Sequence, residues 1–200
     1  TQLDELAAKR PLVVILFGDH GEAFGEHGVF HHSFDLHDEA LRVPIIVRAP
    51  GVTPGSRHAL TNLFDLNPTL LNFAGRPPVA PVSGRSLLPV LYDPSPGSLM
   101  PPGWRRWLFA EVTPDGLFPS EQKSIYAPPF KLIHDLRRGT WELFDISRDR
   151  GEIRNLYDDR PELAAELRER LVTWTDHGAL ATNRSNEQIA AARLRSEPAM

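Results

Sequence analysis

The run Leu12-Val13-Val14-Ile15-Leu16-Phe17-Gly18-Asp19-His20-Gly21 decides how this chain is read. Its six consecutive apolar residues fit a strand buried on both faces, as in a parallel sheet. Gly18 ends the run, and Asp19 and His20 follow at once. Open α/β sheets bind ligands outside the carboxyl ends of their strands, so these two polar residues stand where such a fold places its active site. A polar loop continues to about Ser33. Beyond it, a short helix is expected over Asp35–Leu41, capped by Ser33 or Asp35. Val43–Val47 reads as a second buried strand, with Pro44 near its start, where a missing N–H is tolerated. Leu63–Ala74 is amphipathic and closes at Gly75. Upstream, Thr1–Lys9 has helical spacing and is stopped by Pro11. The order of strand, helix, strand, helix predicts an α/β layer with parallel pairing.

Further along, the pattern changes. Eight prolines between Pro77 and Pro102 argue against regular structure over residues 75–104. A boundary is expected near 100–105. Trp107–Val112, Lys123–Tyr126, Phe130–Leu136 and Thr140–Asp145 then read as short antiparallel strands, with a hairpin at Arg137-Arg138-Gly139. Pro161 to about Trp174 is a helix, with Leu163, Leu167, Leu171 and Trp174 on one face. The division expected is 1–104, 105–177, and a tail from 178 to 200 that reads as a loose helix or disorder.

Composition narrows the function. The chain has 200 residues, is 41% apolar and carries a formal net charge of -4, which supports a real core and argues against a nucleic-acid binder. With no cysteine, disulfide scaffolds, Cys-based zinc sites and a cysteine-derived nucleophile within these residues are excluded. The longest apolar run is far short of the roughly 20 residues that span a bilayer. Thr1 is not an initiator Met, and the chain is expected to begin inside a longer protein.

Chemistry-bearing residues crowd into one stretch. His20, His27, His31, His32 and His37 lie between Asp19 and Asp38, interleaved with Glu22, Glu26 and Asp35. Asp offers a hard oxygen and His a borderline nitrogen, so Asp19 and His20 are candidate ligands of a divalent metal. Two ligands are too few for any such ion, and others must come from elsewhere. A polar loop with a capping Asp and surface histidines is the alternative that composition leaves open. His27 and His37 are taken as structural, and His58, His134 and His177 as residues without a site. Asp145, Glu152 and Asn155 read as side-chain-to-backbone bonds holding a turn. Trp104-Arg105-Arg106-Trp107 reads as interface packing.

Four motifs in order carry a resemblance. Val13–Gly28, with Phe17-Gly18-Asp19-His20-Gly21-Glu22 and the following Gly-rich loop, is the first. Leu41-Arg42-Val43-Pro44-Ile45-Ile46-Val47-Arg48-Ala49-Pro50-Gly51 is the second, and Asp65-Leu66-Asn67-Pro68-Thr69-Leu70-Leu71 the third. Lys131-Leu132-Ile133, Trp141-Glu142-Leu143-Phe144-Asp145 and Glu152-Ile153-Arg154-Asn155-Leu156 form the last. Over about residues 1 to 175 the chain resembles the sulfatase family of the alkaline phosphatase superfamily. The fold this implies is α/β: the C-terminal part of an alkaline-phosphatase-like mixed sheet sandwiched by helices, followed by a small antiparallel-sheet subdomain with a C-terminal helix.

By that resemblance Asp19 and His20 match the family's metal-binding pair, with Ca2+ expected ahead of Mn2+ or Zn2+. His32 falls where some relatives carry a Lys or His on the sulfate and leaving oxygen. His31 competes for the role, since one gap exchanges them. A proton donor there would relieve charge on the leaving oxygen. The resemblance also implies a formylglycine nucleophile in a Cys/Ser-x-Pro-x-Arg motif, which this chain lacks. That motif and the first acidic ligands are expected upstream of Thr1, and the 200 residues alone are expected to be inactive. The expected substrate is a sulfate-ester small molecule or glycan. The resemblance implies periplasmic or extracellular placement, with the cytoplasm left open by the sequence. A phosphodiester or phosphonate monoester hydrolase of the same superfamily is the second reading, and a degenerate non-catalytic domain the third.

Overall fold

The computed structural model describes residues 1–32, 35–77, 83–93, 101–114 and 119–177. The expected tail over 178–200, Ser33 and much of the proline-rich stretch lie outside them. The described residues form two compact units, one from 1–108 with 119 and the other from 109–114 and 120–177. No helix among the described residues is long and apolar enough to cross a membrane.

In the first unit α1 spans Gln2–Lys9. Thr1 and Asp4 close it with a reciprocal capping box, which satisfies N–H groups that a helix start leaves open. The decisive apolar run forms β1, Val14–Phe17, and pairs with β4, Ile45–Arg48. The pairing is antiparallel, Val14 facing Arg48 and Phe17 facing Ile45, which corrects the parallel expectation. A parallel return needs a crossover of a dozen or more residues, usually a helix lying on the sheet. Here the intervening chain spends its length on a small hairpin, β2 (Ala23–Phe24) with β3 (Phe30–His31), and on α2 (Asp38–Leu41). It turns back beside β1, and Gly18 N–H donates to the Pro44 carbonyl at 3.3 Å. α2 is shorter than expected. Asp35 does not cap it, because the carboxylate accepts from the His37 backbone N–H instead.

The strands β1 and β4 are not buried on both faces. Ile15, Ile45 and Val47 pack on Leu66, Leu87 and Leu91. The opposite face leaves Leu16 61% and Ile46 59% exposed. The covering helices are α3, Leu66–Phe73, and α4, Leu88–Leu91. α4 lies inside the stretch expected to lack regular structure. Its proline, Pro89, sits in the first turn, where no intrahelical N–H bond is lost. Asp65 is fully buried and fully used: it accepts from the backbone N–H groups of Asn62 and Arg85 and from both terminal nitrogens of Arg105. Thr69 continues the brace by accepting from Leu87 N–H at 2.8 Å. Gly84 is required there, since a Cβ would stand 1.9 Å from the Phe64 carbonyl oxygen.

The second unit is a four-stranded sheet in sequence order: β5 (Leu108–Val112), β6 (Gln122–Ala127), β7 (Phe130–Asp135) and β8 (Thr140–Asp145). β6–β7 and β7–β8 are antiparallel. At the second hairpin Asp135 accepts from the N–H groups of Arg137 and Arg138, a local turn bond typical of Asp. Ile125, Leu132 and Leu143 on one sheet face meet Ala164, Leu167 and Leu171 of α5, residues 161–177. Phe109 stacks on Trp174 at the rim of that core, centroids 4.9 Å apart. The other face buries Ile133, Phe144 and Lys131. Lys131 Nζ pairs with Glu152 at 2.8 Å, and both side chains are wholly inaccessible. Asn155 holds the turn before α5 as expected: its carbonyl accepts from Leu143 and Tyr157 N–H, and its amide donates to the Trp141 carbonyl.

Candidate functional site

The site grows from the end of β1. Gly18 and Gly21 let the chain leave the sheet, and Gly21 also lets it lie against α2. Gly21 N–H donates to the Ala40 carbonyl at 2.8 Å, and a Cβ at Gly21 would fall 1.8 Å from the Glu39 carbonyl oxygen. Glycine alone allows that approach. Asp19 and His20 are thereby presented outward, their side chains 83% and 47% exposed.

The hairpin β2–β3 returns two more histidines to this place. His32 stacks on His20, ring centroids 4.0 Å apart and 28° between planes. Its Nδ1 lies 3.2 Å from Glu22 Oε2. His31 sits in the left-handed region (φ 70), and its Nδ1 is 4.0 Å from the other Glu22 oxygen. Glu22 thus hydrogen-bonds His32 alone, and His32 is the one that joins His20. Sequence reasoning placed Glu22 in this stretch but gave it no role, although its position two residues after His20 was a usable signal.

His20 has one ring nitrogen committed. Nδ1 lies 2.8 Å from the Gly21 carbonyl, a contact that fixes the ring, and Nε2 is 3.8 Å from Asp19 Oδ1. That separation is within twice the roughly 2.0–2.6 Å of a metal–donor bond. Orienting a histidine ligand through its second nitrogen is the usual arrangement around bound metals. The pair therefore fits part of a coordination sphere. Among the described residues no set of three or more His, Asp or Glu is arranged to complete it.

The other histidines have other partners. His27 and His37 stack on each other, His134 stacks on Trp141 at 3.7 Å, and His177 Nδ1 contacts the Thr173 carbonyl. Trp104 and Arg105 pack within the first unit, the guanidinium 5.4 Å from the indole and committed to Asp65.

Residues 25–177 match the family model described as N-sulphoglucosamine sulphohydrolase, C-terminal. The chain belongs to this sulfatase family. Among curated sulfatases it is 28% identical over 197 residues to the Delta 4,5-hexuronate-2-O-sulfatase of Bacteroides thetaiotaomicron, covering 96% of this chain and 39% of that protein. Arylsulfatase K of Danio rerio is 29% identical over 185 residues, covering 88% of this chain and 34% of that protein. The solved sulfatase structure of BT4656 in complex with its substrate D-glucosamine-2-N,6-O-disulfate superposes with a TM-score of 0.71 at 27% identity, over 82% of this chain and 34% of that one. The chain thus spans between a third and two fifths of the length of these sulfatases, in their C-terminal portion.

Proposed function

We propose that this chain is the C-terminal part of a longer sulfatase that hydrolyses a sulfate ester on a glycan. One observation carries the reading: Asp19, His20 and His32 converge at the end of β1, with Glu22 holding His32. The glycan class rests on the relatives, one named for a hexuronate-2-O-sulfate and one solved with a sulfated glucosamine. The open face of β1 and β4 supports a longer protein, because an apolar face with Leu16 and Ile46 this exposed is unusual for a finished surface.

In this reading Asp19 and His20 contribute two donors to a divalent cation, Ca2+ ahead of Mn2+ or Zn2+. The ion would neutralise charge on the nonbridging sulfate oxygens. The nucleophile, a formylglycine, comes from residues upstream. His32 acts at the leaving group. Glu22 binds Nδ1 and His20 fixes the ring plane, so Nε2 is the nitrogen that delivers a proton to the alcohol oxygen as the S–O bond breaks.

The test is sulfate release from a 6-O-sulfated glucosamine or a 2-O-sulfated hexuronate by the longer enzyme, compared with its His32→Ala and Asp19→Ala variants. General acid removal is expected to lower kcat by about 10²-fold or more. A His31→Ala variant is expected to lose less. Hydrolysis of a phosphonate monoester in preference to the sulfate would move the reading to the phosphate branch of the superfamily. Full activity without both Asp19 and His32 would overturn it.

A further inference from the structure

The hairpin that carries the candidate acid also holds two aromatic rings in the open. Phe24 of β2 is 77% exposed and Phe30 of β3 is 62% exposed. They stand directly opposite each other in the ladder. Residues so paired share a face, with Cβ atoms about 5 Å apart, so the two rings make one apolar surface. The turn beneath them is tied. Phe24 N–H donates to the Glu26 carboxylate at 2.6 Å, Gly25 N–H to the Val29 carbonyl at 3.0 Å, and Val29 N–H to the Glu26 carbonyl at 2.9 Å. Gly25, with φ 123, leaves room for the Phe30 ring at the turn, since a Cβ there would stand 3.2 Å from it.

The register ties this surface to the candidate acid. Ala23 faces His31, and one residue further along Glu22 meets His32 at 3.2 Å. Ala23 is turned inward, 3% exposed. Side chains alternate along a strand, so Glu22 and Phe24 leave on the outer side, and His32 contacts Glu22 there. Two residues of strand, roughly 7 Å, separate the Phe pair from the Glu22–His32 pair, about the breadth of one sugar ring. The open face of β1 and β4 is of another kind. Its most exposed residues, Leu16 and Ile46, are branched aliphatics, which suit a cover of protein side chains. Flat aromatic faces, negative at their centre, suit the flat C–H face of a pyranose, whose hydrogens carry partial positive charge.

We propose that Phe24 and Phe30 form a stacking platform for the sugar ring that bears the sulfate ester, and so determine which substrates His32 serves. The inference rests on the reading of His32 as the group at the leaving oxygen, but sugar binding can be tested apart from turnover. A ring lying on the two phenyl groups brings its ester edge toward His32. No charge develops on its C–H face as the S–O bond breaks, so the platform holds ground state and transition state alike and acts on KM rather than kcat. It favours a sulfated pyranose over an open-chain alkyl sulfate of the same charge.

The experiment measures sulfate release from a 6-O-sulfated glucosamine and from a simple alkyl sulfate by the longer enzyme, together with calorimetric binding of the same sugar. Phe24→Ala and Phe30→Ala are each expected to weaken sugar binding and raise KM for the sugar about five- to tenfold, with the change falling on KM rather than kcat. The preference for the sugar over the alkyl sulfate is expected to fall by the same factor. Phe24→Tyr and Phe30→Tyr keep the flat face and are expected to retain sugar affinity. Phe30→Leu keeps apolar bulk without a flat face; it is expected to behave like the alanine variant and serves if that variant does not fold. Leucine as good as phenylalanine would mean that protein covers this surface and would overturn the proposal. Sugar affinity equal in the original enzyme and both alanine variants would overturn it too, and with sulfate still released would leave the functional reading standing. Sugar binding that depends on both rings in an enzyme that releases no sulfate would keep the platform and remove the functional reading instead.

Discussion

The two main sheets of this chain solve the same problem in different ways. β5–β8 has its apolar side covered by α5 and its other side closed by Ile133, Phe144 and the Lys131–Glu152 pair. β1–β4 has one side on α3 and α4, while Leu16 and Ile46 stand open on the other. The candidate site hangs on the open sheet, at the end of β1. The contrast teaches that the second unit covers both faces of its sheet from its own residues, whereas the first bears the candidate site and leaves one face of its sheet open. Loops that bear function are commonly drawn from the less protected parts of a fold.

The sharpest way to break this contrast is at the buried pair. Lys131→Met would take the ammonium partner from the buried Glu152 carboxylate and is expected to cost about 3–5 kcal/mol. Adding Glu152→Leu is expected to recover most of that loss, since a hydrophobic replacement of both partners is often neutral. Urea unfolding followed at β5–β8 by hydrogen exchange measures both. If Lys131→Met alone were silent, the second unit would not depend on this pair.

Next in size is a matched pair of truncations. Leu132→Ala, at a position with no exposure, is expected to cost about 2–5 kcal/mol, while Leu16→Ala on the open face should stay within about 0.5 kcal/mol. Equal costs would show that Leu16 is covered in solution. Gly21→Ala should come third, at about 1–3 kcal/mol for the forced separation of the loop from α2. Its stronger readout is loss of the His20–His32 contact, seen as a change in both imidazole signals.

The smallest effect is one of pH. Burial, and then the Arg168 guanidinium, push the His134 imidazole below its ordinary value, outweighing the opposite pull of Asp135. The unfolded chain then binds this proton more readily than the folded one. Stability from this group is present above the ordinary histidine value and falls as pH drops from there toward the depressed one. His134→Phe is expected to flatten that part of the stability–pH curve for the second unit and to leave the first unit unchanged. A slope that survives the substitution would assign it to another group.

Much of the second unit was legible in the sequence because its signals are local. Alternating strands, an Arg-Arg-Gly turn and an apolar stripe on a helix begun by a proline need no knowledge of distant residues. The direction of β1 against β4 was not legible, because it is decided by what the connection between them does. The buried pairings of Asp65 and Lys131 were not legible either, and Glu152, read from the sequence as the holder of a turn, forms a buried pair with Lys131, because a charged residue's distant partner leaves no local signal. At the site, Asp19, His20 and His32 could be singled out by position and resemblance. The role of Glu22 as the holder of His32 and the stacking of His27 on His37 depend on distances that sequence spacing does not contain.

Trp141 lies with His134 stacked 3.7 Å from its ring and the Arg168 guanidinium 5.0 Å away. Indole emission is quenched by a protonated imidazole in contact with it. The second unit therefore carries its own optical gauge of acidity: fluorescence from Trp141 should dim as His134 gains a proton, reporting that event in an unlabelled chain, at concentrations far below those that magnetic resonance needs.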